Sequence, residues 1–246
     1  MANYLIIAGT SSIGTSVVEK LLASEHGVFV TGRNLKKIEL MGQRYNIPFT
    51  QLDASDFGAV NSAFELAINK MGGLYGVVNC AGSLLLKPAH STNFDEYEKV
   101  ITANLTTSFA VVSAAGKYLT KEDGSVVLIS SAAAMVGIAN HEAIAAAKAG
   151  IIGLTLAAAA TYASSRLQFN AVAPGLVETS LTALLTASPA SRKISEAMHP
   201  LGSLGKPQDV AAAINFFLDP ENNWITGQVL AVDGGLSSVR PKIIKM

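Results

Sequence analysis

YLIIAGTSSIG, residues 4–14, is the stretch that decides the fold. It begins as a short apolar run of strand type and ends as a glycine-punctuated turn into a helix. Gly9 permits the sharp turn, and Gly14 lets the helix pack close to the strand. The free amides of Ser11, Ser12 and Ile13, at the positive end of the helix dipole, suit a pyrophosphate.

The same alternation runs outward from this unit. Strands are expected near 4–8, 27–31, 47–52, 74–79, 124–130, 167–173 and 227–232, and helices near 12–25, 34–45, 55–71, 93–118, 141–162 and 206–217. Strands alternating with helices imply βαβ units. The strand runs are apolar without alternation (YLIIA, VVLIS), as a sheet covered on both faces requires. The expected fold class is α/β, a doubly wound parallel sheet of Rossmann type with about seven strands and helices on both faces. Ligands in such sheets bind at the strand carboxyl ends. Residues 1–246 are expected to form one dinucleotide-binding domain. The long connection over 176–205 holds a helical piece and is expected to act as a substrate lid.

Composition excludes several functions. The 246 residues are half hydrophobic and 15% charged, enough for one sizeable core. A formal net charge of zero gives no basic face, which argues against nucleic-acid or anionic-membrane partners. The Ala-rich stretch 143–160 carries Lys148 and reads as a buried helix, not a membrane span. The apolar run at Tyr4–Ala8 is too short for a signal-peptide core. A lone cysteine, Cys80, excludes an internal disulfide and suits a reducing cytoplasm. It reads as a small buried hydrophobe. No His, Cys and carboxylate group has zinc spacing, so no metal is expected. His90 and His199 read as solvated loop residues.

Further blocks follow in order: Asn79-Cys80-Ala81-Gly82 after the fourth strand, Pro174-Gly175 with Thr179, Leu201-Gly202 through Lys206-Pro207, and Thr226-Gly227 through Gly234-Gly235. With the opening turn they resemble the short-chain dehydrogenase/reductase family over nearly the whole chain. That family opens on Thr-Gly-x-x-x-Gly-x-Gly. Here Ala8-Gly9 and Ile13-Gly14 match, and Ser12 stands for the middle glycine. The resemblance gives Asn79, Ala81 and Gly82 to the cofactor turn, and Pro174, Gly175 and Thr179 to the segment that holds the nicotinamide carboxamide. NAD-binding members carry an acid at the end of the second strand. Gly32 stands there instead, followed by Arg33, with Lys36 and Lys37 a turn away. A guanidinium suits a phosphate, so NADP is expected ahead of NAD. The plain alternative for Arg33 is a solvated charge at a helix start. Asp53 matches the family's adenine-contacting acid; its plain alternative is a turn or helix cap.

The family's chemistry is hydride transfer between nicotinamide and a carbonyl or alcohol, with a tyrosine as proton donor, assisted by a lysine, a serine and an asparagine. The matching positions are Asn104, Ser131 and Lys148, but Ile144 occupies the tyrosine position. Isoleucine carries no ionisable proton, and general acid–base catalysis is worth roughly 100- to 10,000-fold in rate. His141 is the candidate replacement. It precedes Lys148 by two helical turns, so both lie on one face, and the family's enoyl-reductase branch spaces its tyrosine and lysine by seven in the same way. Histidine titrates near neutrality; the plain alternative is a capping-turn residue. Ser83 to Leu86, and Leu181, Leu184 and Leu185, suggest an apolar carbonyl substrate. The resemblance also implies a homodimer or homotetramer paired through helices 93–118 and 141–162. Two readings stay open: an NADP(H)-dependent oxidoreductase with a non-standard proton route, or a catalytically inactive dinucleotide-binding sensor or structural subunit of an oligomer.

Overall fold

Runs rich in Val, Ile and Leu become strands in the computed structural model, which describes residues 1–119 and 123–242. They are β1 (Asn3–Ile7), β2 (Gly27–Gly32), β3 (Phe49–Gln51), β4 (Gly76–Asn79), β5 (Gly124–Ile129), β6 (Leu167–Pro174) and β7 (Val229–Val232). All pair in parallel, in the order β3-β2-β1-β4-β5-β6-β7. The helices between them are α1 (Ser12–Ala23), α2 (Leu35–Tyr45), α3 (Phe57–Met71), α4 (Phe94–Ile101), α5 (Thr107–Tyr118), α6 (Glu142–Tyr162), α7 (Pro189–Ala197) and α8 (Pro207–Leu218).

The absence of alternation in the strands has its cause in the two cores. Successive residues of β1 point to opposite faces. Tyr4 and Ile6 meet Val17 and Val18 of α1, Ile38 of α2, and Val210 and Ile214 of α8. Leu5 and Ile7 meet Val60 and Phe64 of α3, Val111 of α5 and Ile151 of α6. Every residue of β4 and β6 is buried. Each buried Val, Leu or Ile side chain contributes about 1.5–3 kcal/mol.

Short polar side chains set the helix starts. Ser11, Asn34 and Asp56 each accept a hydrogen bond from the amide three residues on, and Asn93 forms a capping box with Glu96. Such caps are worth about 1 kcal/mol each. The chain departs from the expected single helix over 93–118. α4 and α5 are joined by a π-helical turn, Thr102–Thr106, that contains Asn104. The hydroxyls of Thr107 and Ser108 take up carbonyls of this wide turn, at Ala103 and Asn104.

By length and apolar composition alone, Glu142–Ser165 would pass for a membrane span, and 44% of its most apolar window is buried. It packs on the sheet through Ile151, Ala158 and Ala159. Phe109 of α5 and Leu156 of α6 face outward, each about half exposed. The strand order reverses between β1 and β4, and this is where the carboxyl edge opens into a crevice.

Candidate active site

The crevice is a cleft of about 740 Å³ running from the end of β2 to the foot of α5. Its walls include Thr10 and Ser11, Gly32 to Asn34, Asp53, Cys80 to Ser83, and Thr107. At the β1 turn, Ser11 caps α1 by accepting from the Gly14 amide at 3.1 Å. A methyl group on Gly14 would lie 2.8 Å from the Ala8 carbonyl oxygen and 2.8 Å from Gly9 Cα, so only glycine lets helix and strand meet here. Gly9 and Gly14 stand one residue closer than the family motif puts its first and last glycines. The backbone makes this tighter turn through Ala8, whose φ of 56° is left-handed and costs a non-glycine residue energy. Ser12 therefore does more than replace a glycine: its hydroxyl accepts the amide of Ser180, at 3.3 Å, from the segment that follows β6.

At the β2 end, a side chain on Gly32 would meet Thr10 Oγ1 at 3.0 Å. Thr10 thus fills the space where an acid would stand, a contact that only the β1–β2 pairing reveals. Arg33 and Lys37 line the cleft beside it. The Arg33 side chain is exposed and forms no ion pair among the described residues. Asp53 accepts from the Ser55 amide and hydroxyl at 3.0 and 2.7 Å, which hold its carboxyl below the usual range. It is a turn cap on the cleft wall.

The chemical end is assembled around Gly82. A Cβ there would lie 3.0 Å from Asn104 Oδ1 and 3.6 Å from Lys148 Nζ, so the turn brings those two side chains together. The turn is fixed by buried Asn79, which donates to Thr107 and Ser108 and accepts from the Ala81 amide. Asn104 is wholly buried; it donates to Ser83 Oγ and the Val100 carbonyl and accepts from the Ser83 amide. Lys148 is 8% exposed and donates to the Ile129 carbonyl at 2.7 Å. Burial pushes its ammonium down to about 8, against a small opposing pull from Cys80. The Cys80 thiol is pushed up to about 12 by burial, which makes it no nucleophile.

The side chains of Ser131, Ile144 and His141 form no hydrogen bond to Asn104 or Lys148 among the described residues. Ser131 Oγ accepts from the Ala133 amide at 3.2 Å, capping its own turn. Ile144 is buried with Val100, Ala143 and Ala147, against Leu84 and Leu85. His141 is half-buried at the start of α6, and its Nδ1 lies 2.8 Å from the Ala139 carbonyl oxygen. Among the described residues it has no hydrogen bond to Ser131 or Lys148.

The segment after β6 contains α7 and a short 3₁₀ turn, Ala183–Thr186. Pro174 is buried and Gly175 half-buried; Thr179 exchanges a 3.0 Å hydrogen bond with Thr182. Leu184 is 90% exposed, so it lines no pocket within this chain. His199 overturns its reading as a solvated loop residue. It is 3% exposed, with its ring between α7 and Leu176, because the chain folds back after α7 onto the end of β7. No local pattern in the sequence announces that return.

Comparison with known proteins agrees with this fold. Residues 7–237 match the family model described as Enoyl-(Acyl carrier protein) reductase. The 3-oxoacyl-[acyl-carrier-protein] reductase FabG of Thermotoga maritima is 32% identical over 94% of this chain and 96% of its own length. A short-chain type dehydrogenase/reductase from Mycobacterium ulcerans superposes with a TM-score of 0.92 at 28% identity, over 96% of this chain and 90% of that one. ElxO with NADP bound superposes at 0.90 with 33% identity, over 96% of this chain and 99% of that one. A tyrosine-to-phenylalanine variant of ElxO, with NADPH bound, superposes equally well.

Proposed function

The chain belongs to the short-chain dehydrogenase/reductase family, and from that footing we propose that it is a cytoplasmic, homo-oligomeric oxidoreductase that uses NADP(H) on the carbonyl or alcohol of a small apolar substrate, with a proton route that does not involve tyrosine. The observation that carries this reading is the meeting of Asn104 and Lys148 at Gly82, at the foot of a cleft whose far end presents Arg33 and Lys37.

The residues fit the cofactor. The start of α1, closed against β1 by Gly14, offers its first amides to a diphosphate. Thr10 Oγ1 crowds a side chain at position 32, and Arg33 with Lys37 suits a ribose phosphate. Two of the three N–H bonds of Lys148 have no acceptor among the described residues and suit ribose hydroxyls. Thr179 and the Pro174–Gly175 turn would take the carboxamide. The nicotinamide, when bound, supplies or accepts the hydride. Ser131, by turning its hydroxyl off the Ala133 amide, orients the substrate oxygen. The Ile144, Leu84 and Leu85 surface excludes water from it. His141 and Lys148 are the ionisable groups at hand for the proton. NADP-bound ElxO, and its tyrosine-to-phenylalanine variant holding NADPH, support the cofactor choice. The outward Phe109 and Leu156 support pairing of α5 and α6 between copies.

A second reading, a dinucleotide binder without turnover, is favoured by Ile144 itself, which closes an apolar cluster where the family has its proton donor. One experiment separates them. The native chain, Ile144→Tyr and His141→Ala are given NADPH with ketones, quinones and acyl thioester carbonyls, and loss of the reduced-nicotinamide absorbance is followed. Turnover by the native chain is expected. Turnover only in Ile144→Tyr makes the native chain a binder, and unchanged turnover in His141→Ala removes the histidine from the route.

A further inference from the structure

His199 is the one buried titratable side chain in the lid segment. It follows α7, and both of its ring nitrogens are committed. Nε2 accepts from the Leu176 amide at 3.1 Å. Nδ1 must then carry the proton, and it lies 2.8 Å from the Ser195 carbonyl oxygen. A neutral imidazole has one donor and one acceptor nitrogen, so this pair of bonds admits a single tautomer. The ring is also tight against the backbone: a methyl group on Gly175 would lie 2.8 Å from Nε2 and 3.0 Å from Asp233 Cα. On its far side the segment docks through Leu201, whose amide donates to the Gly234 carbonyl, and through Gly205, which exchanges hydrogen bonds with Leu176 and Glu178. Leu176 lies between Gly175 and Val177, in the loop that leads from β6 to Thr179.

The charged groups around the ring are accounted for. Asp233, at the end of β7, accepts the amides of Gly235 and Ser237. Burial works against its carboxylate, but hydrogen bonds from Ser237 and Gly235 and the neighbouring His199 hold it below the usual range. Asp209, on α8 and lining the same cavity as His199, accepts the Lys206 amide. Glu196 on α7 and Glu178 after β6 both pair with Arg192. None of these carboxylates hydrogen-bonds the ring. Removing Nε2 would leave the Leu176 amide without this acceptor.

We propose that His199 is a positioning residue for the nicotinamide end of the cofactor: its imidazole clasps the lid segment to the Gly175–Val177 loop through one bond at each ring nitrogen. This rests on the reading of the cleft as a dinucleotide site. His199 touches no reacting atom; it sets the loop that does the holding.

The test is calorimetric binding of NADP⁺ to the native chain, His199→Gln and His199→Phe at neutral pH. The glutamine amide keeps a donor and an acceptor; the phenyl ring keeps neither. His199→Phe is expected to lose about tenfold or more in affinity, the cost of one unsatisfied amide, and His199→Gln to restore most of it. Native-like binding by His199→Phe overturns the proposal, as does an equal loss in His199→Gln. Chymotrypsin cleavage at exposed Leu184, without nucleotide, gives a second readout: the lid of His199→Phe should be cut faster than the native one. Equal cleavage overturns the clasp. Absence of NADP⁺ binding by the folded native chain overturns the dinucleotide reading instead, and the cleavage comparison then decides the clasp alone.

Discussion

Replacing Lys148 with methionine should stabilise the nucleotide-free protein while weakening its hold on NADPH. The side chain is 8% exposed, and burial takes its ammonium from the usual 10.5 to about 8. At 1.36 kcal/mol per pH unit, keeping it charged at neutral pH costs the fold about 3 kcal/mol. Methionine has the same unbranched reach and no charge. Loss of the bond to the Ile129 carbonyl opposes the gain by about 1–2 kcal/mol, because that acceptor is left unpaired. The balance is a gain of about 1–2 kcal/mol, or roughly 2–8 °C in Tm for a chain of this size.

The pH dependence supplies the sign. The folded-state value lies below the unfolded one, so between about pH 8 and 10.5 the unfolded chain holds the Lys148 proton and the folded chain does not. Native stability therefore rises with pH across that window. The advantage of Lys148→Met is full below about pH 8 and fades toward 10.5. Thermal melts of both chains from about pH 7 to about pH 10.5 check this, and calorimetry with NADPH checks the binding. A variant less stable than the native chain at neutral pH, or an advantage that does not shrink with rising pH, refutes the reasoning.

Two other changes probe the opposite end of the cleft. Gly14→Ala places a methyl group 2.8 Å from the Ala8 carbonyl and Gly9 Cα, against backbone that cannot yield. It should cost about 1–3 kcal/mol in urea unfolding and weaken binding of NADPH and NADH alike. Arg33→Ala should weaken NADPH binding roughly tenfold or more by loss of a charge-assisted hydrogen bond, yet leave NADH within about twofold; equal losses for both would place Arg33 outside the phosphate site.

The nucleotide half of the molecule was legible because its constraints are backbone constraints. Gly14 is read from the sequence as close packing, and the structure finds the neighbouring carbonyl at contact distance. The seven apolar runs became the seven strands for the same reason: a sheet buried on both faces admits little else. What escaped reading depends on side chains far apart in sequence. Thr10 fills the space over Gly32 only once β1 and β2 are paired. The π turn at Asn104 interrupts a helix whose residues show no break. His199 is polar, lies near a proline and two glycines, and reads as loop; its burial comes from the return of the segment after α7 onto β7.

Ile144 and Lys148 pull in different directions, and the energies say which is the more informative. An isoleucine in an apolar cluster with Leu84, Leu85 and Val100 is at no disadvantage in the fold, so its presence is compatible with any function. A buried ammonium is different. It costs about 3 kcal/mol at neutral pH and has one acceptor for three N–H bonds among the described residues. Methionine at the same position would remove that cost, so the lysine weakens the fold in exchange for something outside it. The ammonium lies beside Gly82, which lines the cleft, and the hydroxyls of a bound sugar would satisfy its two spare N–H bonds. Ile144 offers no proton; a costly lysine beside Asn104 argues for a site that holds a cofactor.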